Sequence, residues 1–483
     1  MQSRDMKLKT FVIFFLAGCG AEAQVPPPPQ APSNGPAPVL RQPIVRQPSM
    51  SDYSGSVMSG QASGDTLPLT LLDALKRGLQ YNLGVLVNRE AVASSRTERR
   101  RSLSALLPNL SAGATLTSQQ LDLVAFGFNV PGFPAVVGPF GYQNVRAYAQ
   151  QTVYDRASLK NLKSAAESEK AAELTADEAR NLVVQAVSNA YLAVITDAAR
   201  VDAIQAEINT AQALFDRATD QKKAGVIPGI DVLRAEVQLR TEQQRMVAQT
   251  NQVEKDKLIL ARAIGLPSGQ AFSLFDRLPF APLQTSRDEL LKQAYESRPD
   301  FRAVQATMRA AQFAIDAARS ERYWPSVVVQ ADYGDIGKTL VESHGTYSVL
   351  AGVRVPIYTG GRSKADVDQA EAVFRNTRNA MEDLRGRIDF EVRSALLDLQ
   401  SAQTQVNVAG TNADLANQTL TQARDRFAAG VTDTIEVVQA QQLLASANEN
   451  YIGALGAHNA AKIALATAVG VAEERVPQYL GLK

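Results

Sequence analysis

The feature that most limits how this chain can fold is a duplication. The stretch Ala224-Gly225-Val226-Ile227-Pro228-Gly229-Ile230-Asp231-Val232-Leu233-Arg234-Ala235-Glu236-Val237-Gln238-Leu239 returns 205 residues later as Ala429-Gly430-Val431-Thr432-Asp433-Thr434-Ile435-Glu436-Val437-Val438-Gln439-Ala440-Gln441-Gln442-Leu443-Leu444. Seven of the sixteen positions are identical, and Asp231 stands opposite Glu436. The same offset holds downstream, where Ala263-Ile264-Gly265-Leu266 matches Ala468-Val469-Gly470-Val471. An unbroken register over this distance marks a tandem repeat. Each copy reads as helix, turn, helix. A long periodic run ends at a glycine that can take the positive φ closing a helix, a Pro or Thr/Asp follows, and periodicity resumes at once.

The rest of each copy extends the pattern. A helix is expected from Leu67, capped by Thr66 or Asp65, through Leu75, Leu79, Leu83 and Leu86 to Leu106-Leu107, where Pro108 stops it. Its counterpart runs from Asp288 to Tyr323-Trp324-Pro325. Both break on a proline just before a β-prone run. Leu110, Ala112, Ala114 and Leu116 alternate with small polar residues, and after a Gly-, Pro- and Phe-rich loop Val145, Ala147, Ala149 and Val153 share one face of Tyr142–Tyr154. The second copy offers Val327–Ile336 and Tyr347–Tyr358. Period-two patterning predicts two antiparallel hairpins. Strands of about 10–13 residues exceed the globular mode and match what a tilted transmembrane strand needs. Four strands cannot close a barrel alone, and bare edges are forbidden in hydrocarbon, so several copies would have to share one.

Long helices follow. Ser158 to Lys223 contains neither Pro nor Gly, and Val187, Val194, Val201, Ile208 and Phe215 recur every seven residues. The counterpart spans Arg362 to Phe427. About 66 residues at ~1.5 Å each make a rod of ~100 Å. The return helices, Ile230–Ile264 and Ile435–Val469, are only about half as long. The helices 67–107 and 288–324 are therefore needed to complete each antiparallel pair. Such rods carry a narrow apolar seam with small residues, as coiled coils do. A tube wall needs that length; a lone globule does not.

Composition removes several function classes. The net charge of +1 leaves no basic field for nucleic acid. Two histidines far apart and one cysteine give no metal-ligand spacing and no disulfide within the chain. No His-Glu-x-x-His, phosphate-binding glycine loop or Gly-x-Ser-x-Gly elbow is present, so neither an enzyme nor a cofactor is expected. At the N-terminus Arg4, Lys7 and Lys9 precede an apolar run and Leu16-Ala17-Gly18-Cys19, the layout of a signal peptide too short to span a bilayer. That last tetrapeptide resembles the bacterial lipobox, which makes Cys19 the candidate lipidation site. Gly20 follows it rather than Asp, which by the lipoprotein sorting rule implies transfer to the outer membrane. A Pro-, Gln- and Ser-rich stretch to about Asp65 has too few apolar residues to offset ordering and reads as a tether.

In combination, these residues resemble the outer-membrane factor family, the TolC-type efflux ducts, in its lipoprotein branch. The carriers are the helix–Pro–strand–strand–long helix order stated twice, Arg298-Pro299-Asp300, Tyr358-Thr359-Gly360-Gly361-Arg362 and the two Ala-Gly-Val turns. The first copy departs from the family at Asn82-Leu83 and at Tyr154-Asp155-Arg156. The resemblance implies a mainly α chain with a small transmembrane β part: a homotrimer forming a 12-stranded β-barrel continued by a long α-helical barrel. The layout would be a signal peptide (1–18), a lipidated N-terminus and tether (19–65), a first repeat (66–267), an equatorial segment (268–287), a second repeat (288–474) and a tail (475–483). It also implies a passive exit duct in the outer membrane, partnered by a periplasmic adaptor (membrane fusion protein) and an inner-membrane pump of RND or ABC type. Gly225, Val226, Ile227, Gly430, Val431 and Thr432 would form the adaptor-docking tip. Asp231, Glu436, Phe427 and Asp433 would form the aperture, where three Glu436 carboxylates would repel one another and attract cations. Phe427 and Thr432 stand where the best-known member has a Tyr and an Arg, so its polar gate links are not reproduced. A periplasmic adaptor with a coiled-coil hairpin is the alternative; it carries one hairpin per chain and no duplicated strand pair.

Overall fold

The computed structural model describes residues 53–481 apart from 128–130, 133, 277, 284–285 and 340. The signal peptide, Cys19 and most of the Pro-rich tether lie outside the described residues. In chain order the elements are β1 (Leu67–Leu69), α1 (Leu71–Tyr81), α2 (Leu83–Ser104), β2 (Asn109–Asp122), β3 (Val136–Asp155), α3 (Arg156–Lys223), α4 (Gly229–Ile264) and β4 (Phe272–Leu274). Then come α5 (Arg287–Ser297), α6 (Pro299–Tyr323), β5 (Ser326–Gly337), β6 (Ser343–Arg354), α7 (Arg362–Ala428), α8 (Thr434–Val469) and α9 (Ala472–Leu480).

The long helices form as the uninterrupted periodicity requires. α3 has 68 residues and α7 has 67, so each runs roughly 100 Å. The Asp155 side chain caps α3 by accepting from the Ala157 amide, whereas α7 opens on left-handed Gly361 with no side-chain cap. Both turn back through left-handed glycines, Gly225 and Gly430, into return helices of 36 residues each. These stop at Gly265 and Gly470, again left-handed.

The expected single helices 67–107 and 288–324 are each two helices. α1 breaks from α2 at Asn82, and α5 from α6 at Arg298, both in extended conformation. Pro299 forces the second break, because the residue before a proline avoids the α region. The first helix also starts later than expected. Leu67–Leu69 pairs in parallel with Phe272–Leu274, and Thr70, not Thr66 or Asp65, caps α1 by accepting from the Asp73 amide. The segment 268–287 thus supplies a strand, and the C-terminal segment begins as helix α9 at Ala472, ahead of the expected boundary at 475. The tether too ends before Asp65. Tyr53 is buried, Val57 and Ser59 donate backbone hydrogen bonds to the Tyr81 and Gly265 carbonyls, and Ser63 bonds Gln270.

The two expected antiparallel hairpins, β2–β3 and β5–β6, are joined through β3 and β5 into one four-stranded sheet of order β2-β3-β5-β6, all its pairings antiparallel and separate from the β1–β4 pair. β3 begins at Val136, six residues before the expected start, so Phe140 lies in the strand. β6 runs Ser343–Arg354, starting and ending four residues earlier than expected, which leaves Tyr358 outside it. Below the sheet the helices stand side by side. Near the strands the neighbours are α2–α3–α6–α7, and toward the turns α4–α3–α8–α7. Val187, Val194 and Ile195 of α3 pack with Leu260, Ile264 and Ile463 in one apolar cluster, and Ile388, Val392 and Leu399 of α7 with Leu465 and Val469 in another. Of the seven-residue series, Val187 and Val194 are fully buried while Val201, Ile208 and Phe215 are half-buried.

Candidate functional site

The register divides the sheet into two chemically distinct faces. Leu110, Ala149, Ala331 and Val349 lie in one row across all four strands, and Ala112, Ala147, Tyr333 and Tyr347 in the next row on that face. This apolar face is open: Leu110 is 80% exposed and Val349 67%. The other face carries Ser111, Tyr148, Asp332 and Ser348 in one row, and Arg146 and Thr346 in its neighbour. There Arg146 donates to Asp332, to Thr346 Oγ1 at 2.6 Å and to Asn144 Oδ1 at 3.3 Å, while Ser348 donates to Asp332. An apolar outer face opposite a hydrogen-bonded polar face is the pattern of a strand between lipid and a watery lumen. The shortest of the four strands has 12 residues, close to 40 Å of chain. At the helical end of the sheet the Arg156 guanidinium stacks over Trp324 at 4.1 Å, an amphipathic pair suited to a membrane interface.

Four strands leave two unpaired edges, β2 and β6. The helical wall has matching open edges, with α4 and α2 on one side and α7 on the other. Apolar side chains are exposed on the helices at both edges. Ile230, Leu233, Val237 and Val247 are exposed along α4, and Phe390, Leu397, Val408 and Leu415 along α7.

The two turns sit at the far end of the helices from the sheet. Val226 and Val431 are each more than two-thirds exposed beside Gly225 and Gly430, whose own surroundings are open space. Ile227, expected at the docking surface, is instead half-buried and packs against the apolar cluster that includes Leu214, Ala218 and Val437. Thr432 is half-buried and donates its hydroxyl to Glu436, which also pairs with Arg426 Nε at 3.4 Å. Asp433 caps α8, accepting from the Ile435 and Glu436 amides. The expected aperture set therefore separates. Glu436 and Asp433 lie at the start of α8, but Asp231 is buried and paired with Arg234 at 3.1 Å. Phe427 is a core residue among Leu214, Ala218, Ala235 and Val437, with Arg217 over its ring at 5.6 Å. Its phenyl ring lacks the hydroxyl that would draw it to a polar gate. Sequence reasoning missed Arg426, Arg217 and the cross-hairpin bond from Gln442 to Gln238 (3.2 Å). On a polar helix face nothing in periodicity distinguishes these from solvated side chains.

A sheet with one exposed apolar face thus continues into two long helical hairpins, each built from one copy of the repeat. Residues 75–266 and 290–471 match the family described as outer membrane efflux protein. The chain belongs to that family. The two matched segments correspond to the two repeats and omit the stretch between them. Among relatives of the chain, OprJ of Pseudomonas aeruginosa is 27% identical over 289 residues, 56% of this chain and 58% of OprJ. The chain thus spans less than two-thirds of OprJ. BepC of Brucella suis biovar 1 is 24% identical over 409 residues, 80% of this chain and 82% of BepC. The open-state MtrE outer membrane channel of Neisseria gonorrhoeae superposes with a TM-score of 0.71 at 18% identity, covering 90% of this chain and 98% of MtrE. The fold is TolC-like, and the chain is a protein of the outer membrane.

Proposed function

We propose that three copies of this chain form a passive duct, through which an inner-membrane pump drives its cargo past the outer membrane. The observation that carries this reading is that sheet and helical wall are open at both edges. A head-to-tail contact that puts β6 against β2 and α7 against α4 closes both layers with one rotation, as heterologous interfaces in rings do. Three copies of a four-stranded sheet make a barrel of twelve strands, an even number in the known range. The apolar stripes of α4 and α7 are the surfaces such a contact would bury, and the polar sheet face would line the lumen.

The duct carries out no chemistry; its part is a polar path. Exposed Val226 and Val431 beside the two left-handed glycines suit docking by the hairpins of a periplasmic adaptor, with the pump, of RND or ABC type, behind it. Acylation of Cys19 would tether the N-terminus to lipid. Glu436, half-exposed at the start of α8, is the best placed carboxylate to ring an aperture, with Arg426 and Thr432 holding it. The adaptor-like alternative has no use for a four-stranded sheet with an apolar outer face. Reconstitution into planar bilayers tests the duct directly. Defined conductance steps are expected, and their absence from correctly folded, membrane-inserted protein would overturn the reading.

A further inference from the structure

The seam between α3 and α4 contains carboxyl groups where its counterpart has none. Asp197 and Asp256 are both buried, and their carboxyl groups are within hydrogen-bonding reach of each other. About three turns nearer the tip, Glu207 meets buried Glu242 in the same way. Arg245 reaches both: its Nη1 donates to Glu207 Oε2 at 3.0 Å and to Glu242 Oε2 at 2.7 Å. Its Nη2 extends to Glu449 Oε2 of α8 at 3.5 Å. At the other pair Arg200 donates to Asp197 at 2.5 Å and lies against Gly453 of α8, while Gln252 donates to Asp256 at 3.0 Å. The charged groups facing the seam are thus Asp197, Arg200 and Glu207 from α3, Glu242, Arg245 and Asp256 from α4, and Glu449 from α8. Two guanidiniums cannot neutralise five carboxylates. Two carboxyl groups can hydrogen-bond each other only if one carries a proton.

The second repeat shows that packing does not require this. One repeat on, Asp197, Glu242 and Asp256 become Ala402, Ala447 and Ala461, Glu207 becomes Asn412 and Arg245 becomes Asn450. The three alanines are buried just as the acids are. The same hairpin geometry is therefore built once on alanine and once on shared protons.

We infer that the α3–α4 hairpin is latched by protons shared between Asp197 and Asp256 and between Glu207 and Glu242, a latch that loosens as pH rises through neutrality and that the α7–α8 hairpin lacks. Burial sets the direction in each case; for Asp256 the Asp197 carboxyl adds to it, and for Glu207 the attraction of Arg245 opposes it more strongly than Glu242 adds to it. Glu207 is pushed up to about 7 and Asp256 to about 6. A carboxyl raised in the folded state contributes stability that is present at acid pH and lost as pH rises through its folded value. The seam is therefore tight near pH 5 and loosens between about pH 6 and 8. Because α3–α4 carries the Gly225 turn, the latch would stiffen one of the two tips of each protomer. That consequence rests on the duct reading; the latch does not.

Hydrogen exchange on the full-length protein in detergent micelles, corrected for intrinsic rates, tests the latch. Between pH 6 and 8 the α4 amides from Gln238 to Asp256 should lose about tenfold in protection, while α8 amides from Leu443 to Ala461 hold theirs. The double variant Glu242→Gln with Asp256→Asn should abolish the difference. Should that variant fail to fold, Glu207→Gln alone should reduce the loss. Equal pH responses in α4 and α8, or a wild-type response in a folded variant, would overturn the proposal. A protein that conducts no ions can still pass this test, so its outcome is separable from that of the duct reading.

Discussion

Asn82 and Arg298 perform the same task in the two halves of the chain. Asn82 donates its amide to the Ala263 carbonyl at 3.2 Å, and Arg298 donates to the Ala468 carbonyl at 2.9 Å. Those two carbonyls lie one repeat apart, each near the end of a return helix. Each donor sits where a short helix breaks into the next, so each break is pinned to the same point of its own hairpin. The means differ. Asn82 also bonds the Tyr53 carbonyl at 2.6 Å, whereas Arg298 forks onto Asp300 and reaches Glu391 of α7 at 2.6 Å.

Arg298→Ala should therefore be the more damaging of the two truncations. It strands Asp300 and Glu391 without their buried cation and should lower stability by about 3 kcal/mol. Asn82→Ala removes neutral hydrogen bonds and should lower it by about 1–2 kcal/mol. Thermal unfolding of both variants checks the order.

The left-handed glycines divide into two classes. A Cβ on Gly430 would meet nothing within 4 Å, while one on Gly470 would lie 2.7 Å from Arg298 Cα. Gly430→Ala should lose only the ~1–2 kcal/mol of left-handed strain. Gly470→Ala should lose clearly more, because α5 and α6 must move. A melting-temperature comparison separates the two.

Much of this was legible in the sequence. The periodicity of α3 and α7, the equal return helices and the alternation in the strands all reflect local rules repeated over long stretches. What escaped notice depends on single long-range contacts. Nothing local to Leu67-Pro68-Leu69 announces a parallel partner at Phe272, and Tyr53 looks like tether until its ring is seen against Gly84. At the tip, the residue types were readable but their directions were not. Ile227 and Phe427 turn inward because the cluster around Leu214 and Val437 offers them an apolar site.

Lys462 is fully buried on α8, its Nζ without a hydrogen-bond partner among the described residues, one turn from the equally buried His458. Burial lowers the lysine to about 8, and burial together with Lys462 lowers His458 to about 4. A lysine depressed in the folded state contributes stability at high pH that is lost as pH falls through about 8. Lys462→Met should thus raise stability at pH 7 by about 2 kcal/mol, and the gain should shrink as pH climbs toward 10. Chemical denaturation across that range reads it.

At the tip, Glu436→Ala should raise single-channel conductance and weaken block by cations. Arg426→Ala, which frees the carboxylate from its 3.4 Å partner, should strengthen that block. Bilayer recordings with and without divalent cations would show opposite changes for the two variants. Identical changes would remove Glu436 from the aperture.

Open edges on sheet and wall are expected to close against further copies of the chain. The most direct measurement is the mass of the detergent-purified particle, for the wild type and for Val247→Glu with Leu415→Glu, which charges both apolar stripes. Three copies per particle are expected for the wild type, and dissociation for the double variant. A wild-type protein that is monomeric and stays soluble without detergent would contradict it.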